Sequence, residues 1–161
     1  MGKRIGEAMI NYTIEKLLPE NYDKCNNIWD MSEYPKYAKR FYNDLLSGNR
    51  IIFVYIENGE YLGEGALVFD KDGDSDYTIK SKRIYVSRMN TKAEYRNRGI
   101  GGIILDYLID YAKGLGFEEI SVGVNKDNAV AKHLYEKKGF DTVIFDGKDD
   151  LGEYVKLLKK L

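Results

Sequence analysis

Hydrophobic and polar positions along this chain switch between a period of two and a period near 3.6, and the switches mark its elements. Residues 12–16 read as a short strand. Pro19 and Glu20 open a helix predicted to run to about residue 30, and residues 37–46 form a second one ended by Gly48. Residues 50–56 and 61–69 are β-rich, and Glu57-Asn58-Gly59-Glu60 joins them. Asn-Gly between two such runs is a strong hairpin signal. Residues 83–91 are the next strand. Ile100, Ile103, Ile104, Tyr107, Leu108 and Tyr111 then recur at steps of three and four, which gives one apolar helical face. The main helical run, residues 103–115, stops at Gly114 and Gly116. A strand over 120–124, a helix over 129–137, a strand over 140–145 and a last strand over 154–158 complete the series. There is no repeat, no linker and no shift in composition, so one domain over residues 1–161 is expected. Strands interrupted by helices, with a hairpin among them, imply a mixed α/β sheet.

The densest chemical signal is Tyr95-Arg96-Asn97-Arg98-Gly99-Ile100-Gly101-Gly102, between the strand at 83–91 and the long helix. Glycines at a strand-to-helix junction let the backbone come close to a ligand. The first helical N–H groups have no partner within the helix, and with the helix dipole they suit a pyrophosphate. Arg96 and Arg98 add positive charge. No Lys-Ser or Lys-Thr follows the glycines, as a P-loop requires, and Ile104 stands where a dinucleotide loop has its third glycine. What the segment does contain is Arg-x-x-Gly-x-Gly, Arg96 to Gly101. Asn125, Asn128-Ala129 and Leu134-Tyr135-Glu136-Lys137-Lys138-Gly139-Phe140 follow. In order and spacing these two motifs resemble the conserved core, residues 83–140, of the GNAT N-acetyltransferase superfamily.

That resemblance implies a central mixed, mostly antiparallel sheet flanked by helices, and acetyl-CoA as cosubstrate. Arg96, Asn97, Arg98, Gly99, Ile100, Gly101 and Gly102 would hold its pyrophosphate. Met89, Asn90 and Thr91 would pair with the pantetheine like an added strand, with the Met89 or Asn90 N–H polarising the thioester carbonyl. A splayed strand at 120–124 would leave room for it. Asn125 and Asn128 would lie near the cofactor, although Asn128 is first of all a favoured helix cap. Tyr135 would be the catalytic group, protonating the leaving thiolate. A phenol is protonated at neutral pH, as a general acid must be, but a tyrosine packing helix to sheet is the alternative for that position. The acid or histidine that many members carry on the strand is replaced by Tyr85 and Ser87. Arg88 cannot accept a proton. Proton removal is therefore expected to pass through water, to Glu64 or to backbone carbonyls. The missing strand acid also favours an alternative: a non-catalytic acyl-CoA-binding sensor of the same fold.

Composition narrows the partners. Net charge is −1, which argues against a dedicated nucleic-acid binder. No apolar stretch is long enough to span a membrane, and residues 1–11 lack the apolar core of a signal peptide. Cys25 is the single cysteine, so a reducing cytoplasm is expected, with Cys25 a buried small hydrophobe. The partners expected are acetyl-CoA and a small amine or a protein amine, and a homodimer is open. Tyr34, Tyr37 and Tyr42 could receive a cationic amine or simply pack. No metal is expected. Residues 70–76, Asp-Lys-Asp-Gly-Asp-Ser-Asp, look like the start of a calcium loop, but Ser75 replaces the required glycine and Ser81 the bidentate glutamate. A solvated acidic loop is expected there, and a surface position for His133.

Overall fold

The structure, a computed structural model, describes residues 2–5 and 8–161, with side chains described from residue 11 onward. Of residues 1–11, the segment read for a leader, Met1, Gly6 and Glu7 lie outside the described residues. β1 (Gly2–Ile5) and β2 (Ala8–Asn11) form a small antiparallel pair. β3 (Thr13–Lys16), β4 (Arg50–Glu57), β5 (Glu60–Val68), β6 (Arg83–Thr91), β7 (Glu119–Asn125), β8 (Thr142–Asp149) and β9 (Gly152–Lys160) make a seven-stranded sheet in the order β3-β4-β5-β6-β7-β9-β8. β6 and β7 run parallel, while β3–β4, β7–β9 and β8–β9 are antiparallel. The helices are α1 (Pro35–Ser47), α2 (Ile100–Gly114) and α3 (Ala129–Lys137), with 3-10 segments at Pro19–Asn27, Met31–Glu33 and Ala93–Tyr95. This is the mixed α/β sheet that the alternation of elements predicts.

Contacts group the chain into two compact units, residues 1–66 with 88–108, and residues 67–87 with 109–161. In the first, Asn58 and Gly59 both take left-handed φ, 50° and 78°, and close the β4–β5 hairpin as the Asn-Gly pair predicts. One face of this unit packs Leu17, Tyr22, Cys25, Ile28, Ile52, Val54 and Ala66 under Trp29 and Phe41. On the other face α2 sits directly on β5. A Cβ added at Gly65 would stand 2.7 Å from Met89 Sδ and 2.8 Å from Ile104 Cγ2, so only glycine admits the helix at this distance. The helix expected over residues 20–30 is a 3-10 segment that ends at Asn27. Polar side chains interrupt it: Asn27 Nδ2 donates to Tyr61 O at 2.8 Å, Asn26 Oδ1 accepts from Met31 N, and Asp30 Oδ1 accepts from Ser32 N.

In the second unit, the C-terminus of α3 closes with a Schellman motif. Gly139 takes φ 97°, its N–H donates to Glu136 O, and Phe140 N donates to Tyr135 O at 3.0 Å. The accompanying hydrophobic contact is Tyr135 edge-on to Phe140, with ring centroids 5.8 Å apart. Phe140, expected to begin a strand, is fully buried as this cap, and β8 starts at Thr142.

Candidate active site

The residues singled out from the sequence fall in both units, and each group is held by its own local chemistry. In the first unit, β6 bends at Arg88, whose φ of 53° is left-handed. That conformation costs a non-glycine residue on the order of 1 kcal/mol and re-aims its side chain. Met89, Asn90 and Thr91 follow, half-buried. Arg96 Nε donates to the Thr91 carbonyl at 3.1 Å, so this arginine folds back on the strand end. Asn97 and Gly99 take φ 65° and 81°, and α2 begins at Ile100. The bond from Ile103 N to Gly99 O, 3.1 Å, is the first helical one. The N–H groups of Ile100, Gly101 and Gly102 therefore have no helical acceptor and carry the positive end of the helix dipole. Arg98 donates to Glu57 Oε1 at 3.0 Å and lies over the Tyr95 ring at 4.9 Å. Buried Glu57 also accepts from Tyr55 Oη at 2.8 Å. Arg98 thus ties the loop to β4, a role that spacing alone did not suggest.

The same unit holds a small recess lined by Tyr22, Trp29, Phe41, Arg50, Glu64 and Arg88, with a volume of about 10 Å³, room for about one water molecule. Glu64 is 3 % exposed. Burial pushes its carboxyl up to about 7, against the pull of Arg88, Cys25, Trp29 and Arg50. The Cys25 thiol and Trp29 indole favour the carboxylate, yet neither Glu64 Oε1 nor Trp29 Nε1 completes a hydrogen bond. Arg88 stacks on Trp29, 4.2 Å from the ring centroid, and Arg50 stacks on Phe41 at 4.2 Å. Sequence reading named Glu64 and Arg88 but missed Arg50, Trp29 and Phe41. A legible signal existed: Arg50 heads the apolar run of β4, and Glu64 stands inside the apolar run of β5. Cys25 is fully buried, its thiol pushed well above the usual range by burial and by Glu64, as befits a small core residue. Tyr34 and Tyr37 are exposed, each stacked in a chain of rings that reaches Phe41 and Trp29. Tyr42 packs on Tyr22.

In the second unit, the parallel pairing of β6 with β7 runs from Arg83↔Glu119 to Val86↔Val122. Asn125 closes β7, and its carbonyl accepts from Asn128 N at 3.0 Å. Asn128 caps α3, Oδ1 accepting from Ala131 N at 3.2 Å. Tyr135 is 7 % exposed. Burial, with Tyr85 nearby, pushes its phenol up to about 12, so it is protonated at neutral pH. His133 is exposed.

The acidic loop is not simply solvated, contrary to expectation. Lys156, 6 % exposed, donates to Asp74 Oδ2 at 2.9 Å and Asp76 Oδ2 at 3.1 Å. Its ammonium lies over the Tyr77 and Phe145 rings. Two would-be calcium carboxylates already neutralise a buried cation, and removing them would strand it. Among the described residues no group of three His, Cys, Asp or Glu side chains is placed to hold a metal. Calorimetry with micromolar calcium should therefore show no binding. Heat in that range, lost when Asp72 and Asp74 become Asn, would overturn this reading.

Comparison with known proteins agrees with the fold. A family profile described as "Acetyltransferase (GNAT) family" matches residues 12–140. The chain is 29% identical over 112 residues to N-alpha-acetyltransferase 30 of Schizosaccharomyces pombe (strain 972 / ATCC 24843), across 69% of this chain and 70% of that protein. It is 26% identical over 108 residues to the Probable N-acetyltransferase san of Drosophila melanogaster, across 66% of this chain and 55% of that one, so it spans just over half of that relative. The PaiA N-acetyltransferase of Thermoplasma acidophilum, solved in complex with coenzyme A, superposes with a TM-score of 0.70 over 94% of this chain and 100% of that one, at 19% identity. Among the described residues no helix is long and apolar enough to cross a membrane. The chain belongs to the acetyltransferase (GNAT) family, and that membership makes acetyl-CoA its acyl donor and N-acetyl transfer its chemistry.

Proposed function

We propose that this protein transfers the acetyl group of acetyl-CoA directly to a primary amine, with Tyr135 as general acid. The observation that carries the reading is the start of α2, where the N–H groups of residues 100–102 follow a strand end through left-handed Asn97 and Gly99. A helix start of this kind suits a pyrophosphate. Met89, Asn90 and Thr91 offer backbone groups to the pantetheine, and the Met89 or Asn90 N–H offers a donor to the thioester oxygen. The amine nitrogen attacks the carbonyl carbon. A C–N bond forms and the C–S bond breaks. Tyr135 gives its proton to the departing thiolate, and the nitrogen gives one up, through water, to Glu64. Solvent then restores Tyr135 and takes the proton from Glu64. Asn125 and Asn128 border the cofactor, Asn128 chiefly as the cap of α3.

A thermal melt tests the binding half. Acetyl-CoA at about a hundred times its dissociation constant should add roughly 2.7 kcal/mol, a Tm rise of roughly 5–10 °C for a chain of this size. Gly101→Val should abolish the rise, because its branched side chain would stand at the ligand-facing backbone. No shift with either acetyl-CoA or CoA would count against the whole reading. Thiol release with a panel of amines tests the catalytic half, and a sensor would bind without turnover.

A further inference from the structure

The bend in β6 is held from both faces of the sheet. Arg88, at left-handed φ 53°, lays its guanidinium over Trp29, 4.2 Å from the ring centroid, and over Phe41 at 5.4 Å. Its buried Nε makes no hydrogen bond, so ring stacking is what fixes this group. Glu64 lines the same recess, which has room for about one water molecule, so the guanidinium is packed among its neighbours rather than laid open to an acceptor. Met89, the next residue, is anchored on the opposite face. Its Sδ lies 2.7 Å from where a Cβ on Gly65 would stand, beside Ile104 and Leu108 of α2.

A left-handed arginine persists in a strand only where its surroundings over-determine it, because an L side chain disfavours that conformation. Trp29 and Phe41 supply the constraint on one face, and the bare Cα of Gly65 makes room for Met89 on the other. The consequence lies in the backbone. The Met89 N–H belongs to the planar peptide between residues 88 and 89, and the dihedrals of Arg88 set the direction of that plane. An extended Arg88 would turn this N–H elsewhere.

We infer that Arg88, clamped on Trp29, is a positioning residue for acetyl transfer: it holds the bend of β6 and so aims the Met89 N–H at the thioester oxygen. The inference rests on the role proposed above for this strand end, and its test separates the conformation of residue 88 from the chemistry of its side chain.

Arg88→Ala and Arg88→Gly both remove the guanidinium, but only glycine takes the left-handed conformation freely. In the thiol-release assay Arg88→Ala should lower kcat about tenfold or more, with the KM of the amine and the affinity for acetyl-CoA changed by less than about twofold. Arg88→Gly should turn over at least about threefold faster than Arg88→Ala. Trp29→Leu, which removes the clamp, should lower kcat by about the same factor as Arg88→Ala. Added to Arg88→Gly it should cost less than about twofold, because that variant no longer uses the clamp. The CoA-dependent Tm rise is the folding control for each protein. If Arg88→Ala does not fold, Trp29→Phe decides, since a smaller ring under the guanidinium should keep kcat above that of Trp29→Leu. Equal turnover in the two Arg88 variants would overturn the inference. So would a loss carried by the KM of the amine, which would mean that Arg88 touches the acceptor, or a lowered Tm with unchanged kcat, the mark of a purely structural arginine. An unsubstituted protein that binds CoA but releases no thiol with any amine would overturn the proposed acetyl transfer, and the inference with it.

Discussion

Replacing Tyr135 with Phe is expected to lower the turnover number about a hundredfold or more, within the range for loss of a general acid. Acetyl-CoA affinity should hardly change, because the lost interaction belongs to the transition state. The structure sharpens the competing forecast. Tyr135 is also the helical residue whose carbonyl receives Phe140 N and whose ring meets Phe140 in the cap of α3. Phe keeps the carbonyl and the ring and removes only the hydroxyl. A purely structural Tyr135 would therefore show near-normal turnover with at most a small change in melting temperature. Measuring turnover, cofactor affinity and Tm on one preparation separates the two. Unchanged turnover would remove Tyr135 from the mechanism.

Glu64→Gln is expected to change two observables at once. The folded carboxyl titrates at about 7, against an ordinary 4.5, because burial disfavours its charge. The folded state therefore holds this proton more tightly than the unfolded state. The stability it supports is complete below about pH 4.5 and is lost as pH rises through about 7. The loss is about 3 kcal/mol. Gln stays neutral, so the variant should lose this slope and be the more stable protein above pH 7. The groups that face Glu64 are Arg50, Arg88, Cys25 and Tyr22. The arginines keep their charge and burial holds Cys25 and Tyr22 protonated across this window, which leaves the slope to Glu64. If Glu64 takes the acceptor's proton, kcat/KM in the unsubstituted protein should rise with pH toward a plateau above about 7. Turnover of the variant should then fall about a hundredfold. A melting profile that slopes equally in both proteins would show that another group titrates. Normal turnover in the variant would leave deprotonation to backbone carbonyls and solvent.

Local signals were legible in this chain wherever the physics is local. The Asn58-Gly59 turn, the left-handed Gly48 that ends α1, the bounds of β6 and of α3, and the Asn128 cap all depend on residues within a few positions of each other. The glycine loop is of the same kind, since a helix start and its free N–H groups follow from neighbouring residues. Where polar side chains reached out of their segment, local reading failed. Asn27 bonds to Tyr61 O across 34 residues, and the helix expected there became a shorter 3-10 segment.

What the sequence determined by itself was therefore the order of the main elements from β3 onward, the glycine loop that opens α2 and the family to which they belong. The tertiary structure alone decided which charges are spent. Lys156 meets Asp74 and Asp76 across about eighty positions, and Arg98 meets Glu57 across forty-one. The recess draws Trp29, Phe41, Arg50, Glu64 and Arg88 from five separate segments. No short-range rule links such partners, because a buried charge is compatible with a sequence only when folding delivers its counterpart. The same long-range packing raised the Glu64 carboxyl, a property that emerges only from the folded chain.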